Sequence, residues 1–413
     1  MTAFVLRGDA RHLPLPDASV DLIVTSPPYW GLRDYRDGEA SLTGQIGNEP
    51  TPQDYIAALL ECTTEWARVL KPTGSIFVNL GDKYANRTRG AWRGSSDGHT
   101  WRADSPRYIR PKDFPEKSLL LLPERYRIGA VDELGLIARA VIVWDKPNGL
   151  PESVTDRVRR SHEDWVHLTK LPRYYSAVDE IREPASDYTR KPGNRRSTPP
   201  GQRRRAMADT VNPLGSLPGS VWEVPTEPLK VPAELGVDHF ASFPTAWPRR
   251  IITGWSPPGI CTACGEGRRP AVQVGENSWE RRKADGDPMR YGDTGTGSAT
   301  HLQRSLSDPA DRAYGGFGLR AERRITGYAC ACPTPDAPTR PALVVDPFGG
   351  TGTTALVASA LGRRGVTVDR SADYCRIAQW RTADPRERAR ALDVPPPPPV
   401  HESQGSLFGE VPS

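Results

Sequence analysis

The sequence predicts a mixed α/β domain built on one sheet and interrupted by long polar insertions. Three observations carry that prediction. Short apolar runs alternate with amphipathic stretches along much of the chain, the pattern left when strands are followed by helices that return to the same sheet. LVVDPFGGTGTTALVASALGRRGVTVD (343–369) reads strand, glycine-rich loop, helix and strand, ending on an acidic residue. The 413 residues include 42 prolines and 38 glycines against a hydrophobic fraction of 37%, so much of the chain is loop or linker.

Phe4–Arg7 and Asp21–Thr25 read as strands, each ending at polar or proline residues. In PQDYIAALLECTTEWARVL (52–70), Tyr55, Leu59, Leu60, Thr63, Trp66, Ala67 and Leu70 fall on one face at helical spacing. Lys71-Pro-Thr-Gly74 stops that helix and turns the chain into a strand over Ser75–Leu80. A helix over Glu124–Leu134, strands over Leu136–Trp144 and Asp164–Thr169, and a helix over Pro244–Gly254 follow. Beyond Asp369 an amphipathic stretch surrounds Tyr374–Trp380. Polar segments break this series. Segment 81–115 holds Trp92 and Trp101 without apolar periodicity, 187–218 is basic and rich in Pro and Gly, and 257–339 is polar between two cysteine pairs. No repeat is visible. With no run of about 18 apolar residues and no cationic-then-apolar leader, a soluble cytoplasmic protein that binds no membrane is expected.

Overall charge says little, since 55 Lys and Arg face 50 Asp and Glu, for a net +5. Its distribution says more: DYTRKPGNRRSTPPGQRRR (187–205) is dominated by cations with almost nothing apolar to fold around. It suits a phosphate backbone, and a solvated loop without a ligand reads equally well.

Two motifs carry chemistry. Asp346-Pro-Phe-Gly-Gly-Thr-Gly-Thr-Thr354 lies between a strand and a helix, the setting of a nucleotide-cofactor loop. Its glycines let backbone approach a ligand, and Asp369 at the end of the next strand can accept hydrogen bonds from ribose hydroxyls. The spacing is not G-x-G-x-x-G and no Lys follows as in a Walker loop; a dehydrogenase or an ordinary strand-to-helix turn stays open on these residues alone. Thr25-Ser-Pro-Pro-Tyr-Trp30 directly follows a strand. Successive prolines fix φ and remove two donors, leaving rigid carbonyl acceptors, and the aromatic offers a flat surface to a planar substrate. A proline-rich turn with a packed Tyr is the alternative.

Together these motifs resemble the DNA amino-methyltransferases that modify cytosine at N4 or adenine at N6, in the permuted beta-class order. The resemblance extends through GDARHLPLPDASVDLIVTSPPYW (8–30), WARVLKPTGSIFVNLGD (66–82), VIVWDKPNGLPESVTDRVRRSHEDWVHLTK (141–170), HFASFPTAWPRRIITGWSPPG (239–259) and VVDPFGGTGTT (344–354). It implies a Rossmann-like class I S-adenosylmethionine methyltransferase with circularly permuted motifs. Residues 1–186 would form the catalytic half, 187–218 a basic loop of the target-recognition region, 219–256 a return to the methyltransferase domain, 257–339 a cysteine-bearing insert, 340–393 the cofactor half and 394–413 a proline-rich tail.

For the site, the resemblance implies that the Ser26 side chain and Pro27 carbonyl accept hydrogen bonds from the target amine, within a turn completed by Pro28. Tyr29 would stack on a base flipped out of double-stranded DNA, and Trp30 would line the same pocket. S-adenosylmethionine would meet Asp346 and Phe348, the glycines Gly349, Gly350 and Gly352, and Asp369 at its ribose, with Phe243 and Asp9 as further contacts, Asp9 near the adenine. Lys146, Pro147, Arg157, His162, Glu163 and Lys170 belong to a segment read as holding a DNA-facing loop; the acceptor mechanism needs no general base, so His162 is not given that role. Ser at position 26 favours cytosine N4 over adenine N6 among relatives. A bacterial or phage restriction-modification setting is implied. An inactive DNA-binding relative, or an enzyme acting on RNA or protein glutamine, are the competing readings.

Cys261-x-x-Cys264 and Cys330-x-Cys332 would supply the four thiolates of a structural zinc site, or remain reduced cysteines in a loop; Cys62 and Cys375 are assigned to the core. In the tail, Gln404-Gly-Ser-Leu-Phe408 follows the stiff run Pro395–Pro399. It resembles the short peptide by which bacterial DNA enzymes bind the replication sliding clamp, and it can equally be a meaningless terminus.

Overall fold

The computed structural model describes residues 3–32, 36–37, 40–85, 114–149, 151–184, 212, 214–236, 242–274, 323–334 and 336–398. The chain divides into two compact units, one of residues 1–175, 220–259 and 341–413, the other of 176–219 and 260–340.

The first unit opens with β1 (Ala3–Arg7), β2 (Val20–Thr25) and the two-residue strands β3 (Arg36–Asp37) and β4 (Ala40–Ser41), which pair with each other. Helix α1 (Pro52–Val69), strand β5 (Leu70–Leu80), helix α2 (Leu122–Asp132) and strands β6 (Ile137–Asp145), β7 (His162–Thr169) and β8 (Val221–Glu223) follow, then helix α3 (Ala246–Trp255). The second unit contributes β9 (Ile260–Cys261), β10 (Arg269–Val274), β11 (Arg323–Ala329) and β12 (Thr339–Arg340). The first unit closes with β13 (Leu343–Asp346), α4 (Thr353–Ala360), β14 (Arg364–Asp369), α5 (Ala372–Ala383) and α6 (Pro385–Leu392).

The large sheet has the order β1-β14-β13-β2-β5-β7-β6-β8. Strands β1 to β5 in that order pair in parallel, and β7 runs antiparallel to both β5 and β6. This is the class I methyltransferase arrangement with late-sequence strands β13 and β14 set between β1 and β2. Every residue of β2 is buried, as expected of a parallel strand covered on both faces.

Helix α1 shows how the local sequence sets an element. Thr51 caps it by accepting from the Asp54 N–H, and proline occupies the first turn, where no donor is lost. Its apolar stripe buries Tyr55, Ile56, Leu59, Leu60 and Trp66. Cys62 and Cys375 are buried. Gly129 of α2 lets that helix approach, since a β-carbon there would fall 2.6 Å from Leu60 Cδ1. The 71–74 turn differs from expectation: Leu70 already pairs with Val20, the ladder slips, and Ser75 pairs with Leu22, so the turn is an irregularity within β5. Around α3, Trp247 stacks between Trp165 and Trp222 at 5.1 and 5.0 Å.

In the second unit β9 pairs with β12 and β10 with β11, both antiparallel. The β10–β11 hairpin has no apolar alternation to announce it. No helix among the described residues is long and apolar enough to cross a membrane. Trp92, Trp101, the basic stretch 187–205 and Gln404–Phe408 lie outside the described residues.

Candidate active site

Strands β13 and β2 are neighbours, with Val344 opposite Leu22 and Val345 opposite Ile23. From β13 the chain crosses through α4 to β14 on one side, and from β2 through α1 to β5 on the other. Divergent crossovers open a crevice beyond the carboxyl ends of two such strands. The cleft found there has a volume of about 740 Å3 with its open mouth included. Ser26 and Pro28 line it from the loop after β2, and Pro347, Phe348 and Gly350 from the loop after β13. Gly8, Asp9 and Ala10 after β1, Leu42, Gln45 and Ile46 ahead of α1, and Asp369, Arg370 and Tyr374 from the end of β14 onward complete the wall.

Asp346 joins the two loops. Its Oδ1 accepts from the Thr25 hydroxyl at 2.7 Å and the Phe348 N–H at 3.1 Å, and Oδ2 accepts from the Thr354 hydroxyl at 2.8 Å. The carboxyl is buried, and burial pushes its pKa up to about 7 against the pull of those donors. Its side chain therefore serves the protein itself and does not line the cleft. Asp369 does line it, accepting from the N–H groups of Gly350 and Ser371, both at 2.9 Å. Burial raises the Asp369 pKa to about 6. Gly349 admits no side chain: a β-carbon would fall 1.4 Å from Thr367 Oγ1. Gly352, the residue before α4, has φ +78, which favours glycine.

The Ser-Pro-Pro-Tyr loop is fixed by Asn79, which the sequence does not single out, and by Glu163 and Lys146, which it assigns to a segment holding a DNA-facing loop. Asn79, buried near the end of β5, receives a hydrogen bond from the Ser26 hydroxyl at 3.3 Å. The Tyr29 hydroxyl lies 2.7 Å from Asn79 Oδ1 and 2.7 Å from Glu163 Oε2, so its one proton serves two acceptors. Glu163 also pairs with Lys146, whose Nζ sits 4.1 Å above the Trp144 ring. Burial and the Glu163 charge raise the Tyr29 pKa well above 10, so the phenol stays protonated. The Tyr55 hydroxyl donates to the Pro28 carbonyl at 2.9 Å. A polar residue in the apolar run Ile76-Phe-Val-Asn-Leu80 was the available signal for Asn79.

Several expected residues lie elsewhere. Trp30 is buried, its indole N–H donating to Glu49 O at 2.9 Å, and like Pro27 and Tyr29 it is not among the residues lining the cleft. Phe243, half-buried, packs edge-on against Trp165 at 5.6 Å and is not among the residues lining the cleft. Asp9 reaches the cleft wall with its carboxylate held by Arg11 at 3.0 and 2.8 Å. His162 is exposed. The buried histidine is His167, stacked on Phe77 at 4.2 Å and 3.1 Å from Ser75 Oγ; burial depresses its pKa to about 3 and keeps it neutral. In the second unit the four cysteines Cys261, Cys264, Cys330 and Cys332 converge.

Comparison with known proteins agrees with this geometry. A family model described as DNA methylase matches residues 20–262 and 339–380. Type II methyltransferase M.SmaI of Serratia marcescens is 37% identical over 257 residues, 62% of this chain and 76% of that protein. Type II methyltransferase M.Cfr9I of Citrobacter freundii is 36% identical over 259 residues, 62% of this chain and 74% of that protein. Among solved structures, the PvuII DNA methyltransferase (cytosine-N4-specific) superposes with a TM-score of 0.51 at 16% identity, covering 95% of this chain and 93% of that one; the likeness is one of fold.

Proposed function

The chain belongs to the DNA methylase family of the N4/N6 type, and from that premise we propose that it methylates the exocyclic N4 of cytosine in duplex DNA, using S-adenosylmethionine. The observation that carries the reading is that Ser26 and Pro28 share one cleft with Phe348, Gly350 and Asp369, although the two loops lie more than 300 residues apart.

The donor set fits an adenosyl cofactor. Asp369 offers carboxylate lone pairs to ribose hydroxyls, the glycine loop leaves backbone accessible, and Phe348 and Tyr374 supply ring surfaces. When bound, S-adenosylmethionine supplies an activated methyl on a sulfonium. The protein's task is to make a poor nucleophile act, because the lone pair of an exocyclic amine is delocalised into its ring. By donating its own proton to Asn79, Ser26 keeps its oxygen lone pairs for an amine hydrogen, and the Pro27 carbonyl accepts the other. Two such acceptors draw the nitrogen toward tetrahedral geometry. Tyr29, its hydroxyl tied to Asn79 and Glu163, holds its ring in one orientation for stacking against an extruded base. Positioning and fixed dipoles of this kind contribute several kcal/mol, up to roughly 7–11 for positioning alone.

Ser at position 26 supports cytosine over adenine. Nucleoside mass analysis of DNA treated with the enzyme tests the choice: N4-methyl-2′-deoxycytidine as product is expected, and N6-methyl-2′-deoxyadenosine as sole product refutes it. In the tail, Gln404, Leu407 and Phe408 form a sliding-clamp peptide in this reading. A synthetic 400–413 peptide then binds bacterial clamp at micromolar concentration, and undetectable binding ends that part alone.

A further inference from the structure

We propose that the second unit holds one structural zinc ion on Cys261, Cys264, Cys330 and Cys332. Their four sulfurs lie within 4.8 Å of one another. Cys261 and Cys332, 71 positions apart, bring Sγ atoms to 3.8 Å, and Cys330 and Cys332 to 3.4 Å. A tetrahedral zinc with Zn–S bonds of about 2.3 Å separates its sulfurs by roughly 3.8 Å along each edge. None of the four is in a disulfide, so the cluster is a set of converging thiols.

The backbone around the first pair is shaped for such a site. Gly265 N–H donates to Cys261 O and Cys261 N–H to Glu266 O, both at 2.9 Å, closing a tight turn through Gly265 at φ +75. A side chain would strain that conformation. The second pair is delivered by the end of β11, and β12 returns the chain so that Thr339 pairs with Cys261 and Arg340 with Ile260. Thr262 N–H adds a bond to Pro338 O at 3.0 Å. Both ends of the insert thus close at the cluster.

Among its described residues the unit has little other source of order. The buried apolar side chains among them are Ala177, Ile181, Ile260, Cys261 and Ala337, and strand β11 is largely exposed. Small folds with so little core rely on disulfides or a metal. An all-sulfur set selects a soft ion, and four protein ligands leave no open position for substrate, which makes the site structural. Binding replaces the four thiol protons, which pass to solvent, with one divalent cation.

The test uses the full chain purified under reducing conditions without chelator. Elemental analysis should find about one zinc per chain, and cobalt substitution should give the sulfur-to-metal charge-transfer bands of a tetrahedral thiolate site. The double substitution Cys264→Ser, Cys330→Ser should lower zinc by about tenfold. Should that variant fold poorly, wild-type thiols give a second reading: these four resist alkylation until a chelator is added. Zinc well below one per chain without a cobalt spectrum, stoichiometric iron in its place, or immediate alkylation of the metal-treated protein overturns the proposal. Neither metal content nor spectrum reads methyl transfer, so the two proposals fail separately.

Discussion

Thr25 and Asp346 meet across 321 positions of sequence, and the cysteines of the second unit meet across 71, yet the two convergences have different causes. The first is delivered by packing. Each residue ends a buried strand of one sheet, and Val20, Leu22, Ile23, Val24, Val344 and Val345 around them are at most 0% exposed, so close packing fixes where the loops emerge. The second has almost no apolar core behind it among the described residues. A polar constellation can be held by the scaffold or by bonds among its own members, and this chain uses one solution in each unit.

The largest test of the packed site is chemical. Replacing Ser26 and Tyr29 together by Ala should lower methyl transfer at least about 10³-fold, the order expected when preorganised acceptors are removed. Cofactor affinity, measured by calorimetry, should change little. A variant that keeps a tenth of the wild-type rate would show that this loop does not hold the amine. Next in size is Asp346→Ala, which strands the Thr25 hydroxyl and the Phe348 N–H without that acceptor and leaves the Thr354 hydroxyl only the Val24 carbonyl at 3.2 Å. Loss of about 3 kcal/mol in denaturant unfolding is expected; a loss below about 0.5 would mean that packing alone sets the loops. Third, a chelator should accelerate amide exchange about tenfold or more in 260–274 and 323–340 while leaving β2, β5 and β13 protected. Equal acceleration in both units would erase the distinction drawn between them.

How much of this was legible follows from the same distinction. Strands β2 and β13, helix α1 and the glycine loop announce themselves by periodicity and turn residues, because their burial is two-sided or amphipathic. The Ser-Pro-Pro-Tyr tetrapeptide and Asp369 are legible from local context. Asn79 is not, and Glu163 and Lys146 are legible only as part of a DNA-facing segment: their contact with Tyr29 across β5, β6 and β7 is shown only by the ladder that sets Asn79 opposite Trp165 and Trp144 opposite Glu163. Trp30 and Phe243 read as site residues because aromatics suit a cofactor or a base equally as they suit a core; Trp30 is buried, while Phe243 is half-buried against Trp165. The four cysteines could be paired from spacing; their meeting depends on the β9–β12 ladder, too short to be seen in sequence.

The smallest expected effect separates the two aspartates of the packed site by pH. Both are raised by burial, Asp346 to about 7 and Asp369 to about 6, but only Asp369 lines the cleft. If its carboxylate accepts the ribose hydroxyls, the ionised form binds the cofactor better. Ionisation is nearly complete a unit above 6 and falls about tenfold per unit below it, so affinity for S-adenosylmethionine should be flat above about pH 7 and decline toward pH 5 with a slope approaching one. Protonation of Asp346 works the other way on stability. Its folded pKa lies above the unfolded value, so its contribution is fully present below about pH 4 and is lost as pH rises through about 7. Loss of cofactor affinity at pH 5 therefore cannot be ascribed to unfolding driven by Asp346. Asp369→Asn should bind about tenfold more weakly at pH 8 and lose the decline between pH 7 and 5. A calorimetric pH series on the wild type and this variant reads both, and an unchanged slope in the variant would move the titrating group away from Asp369.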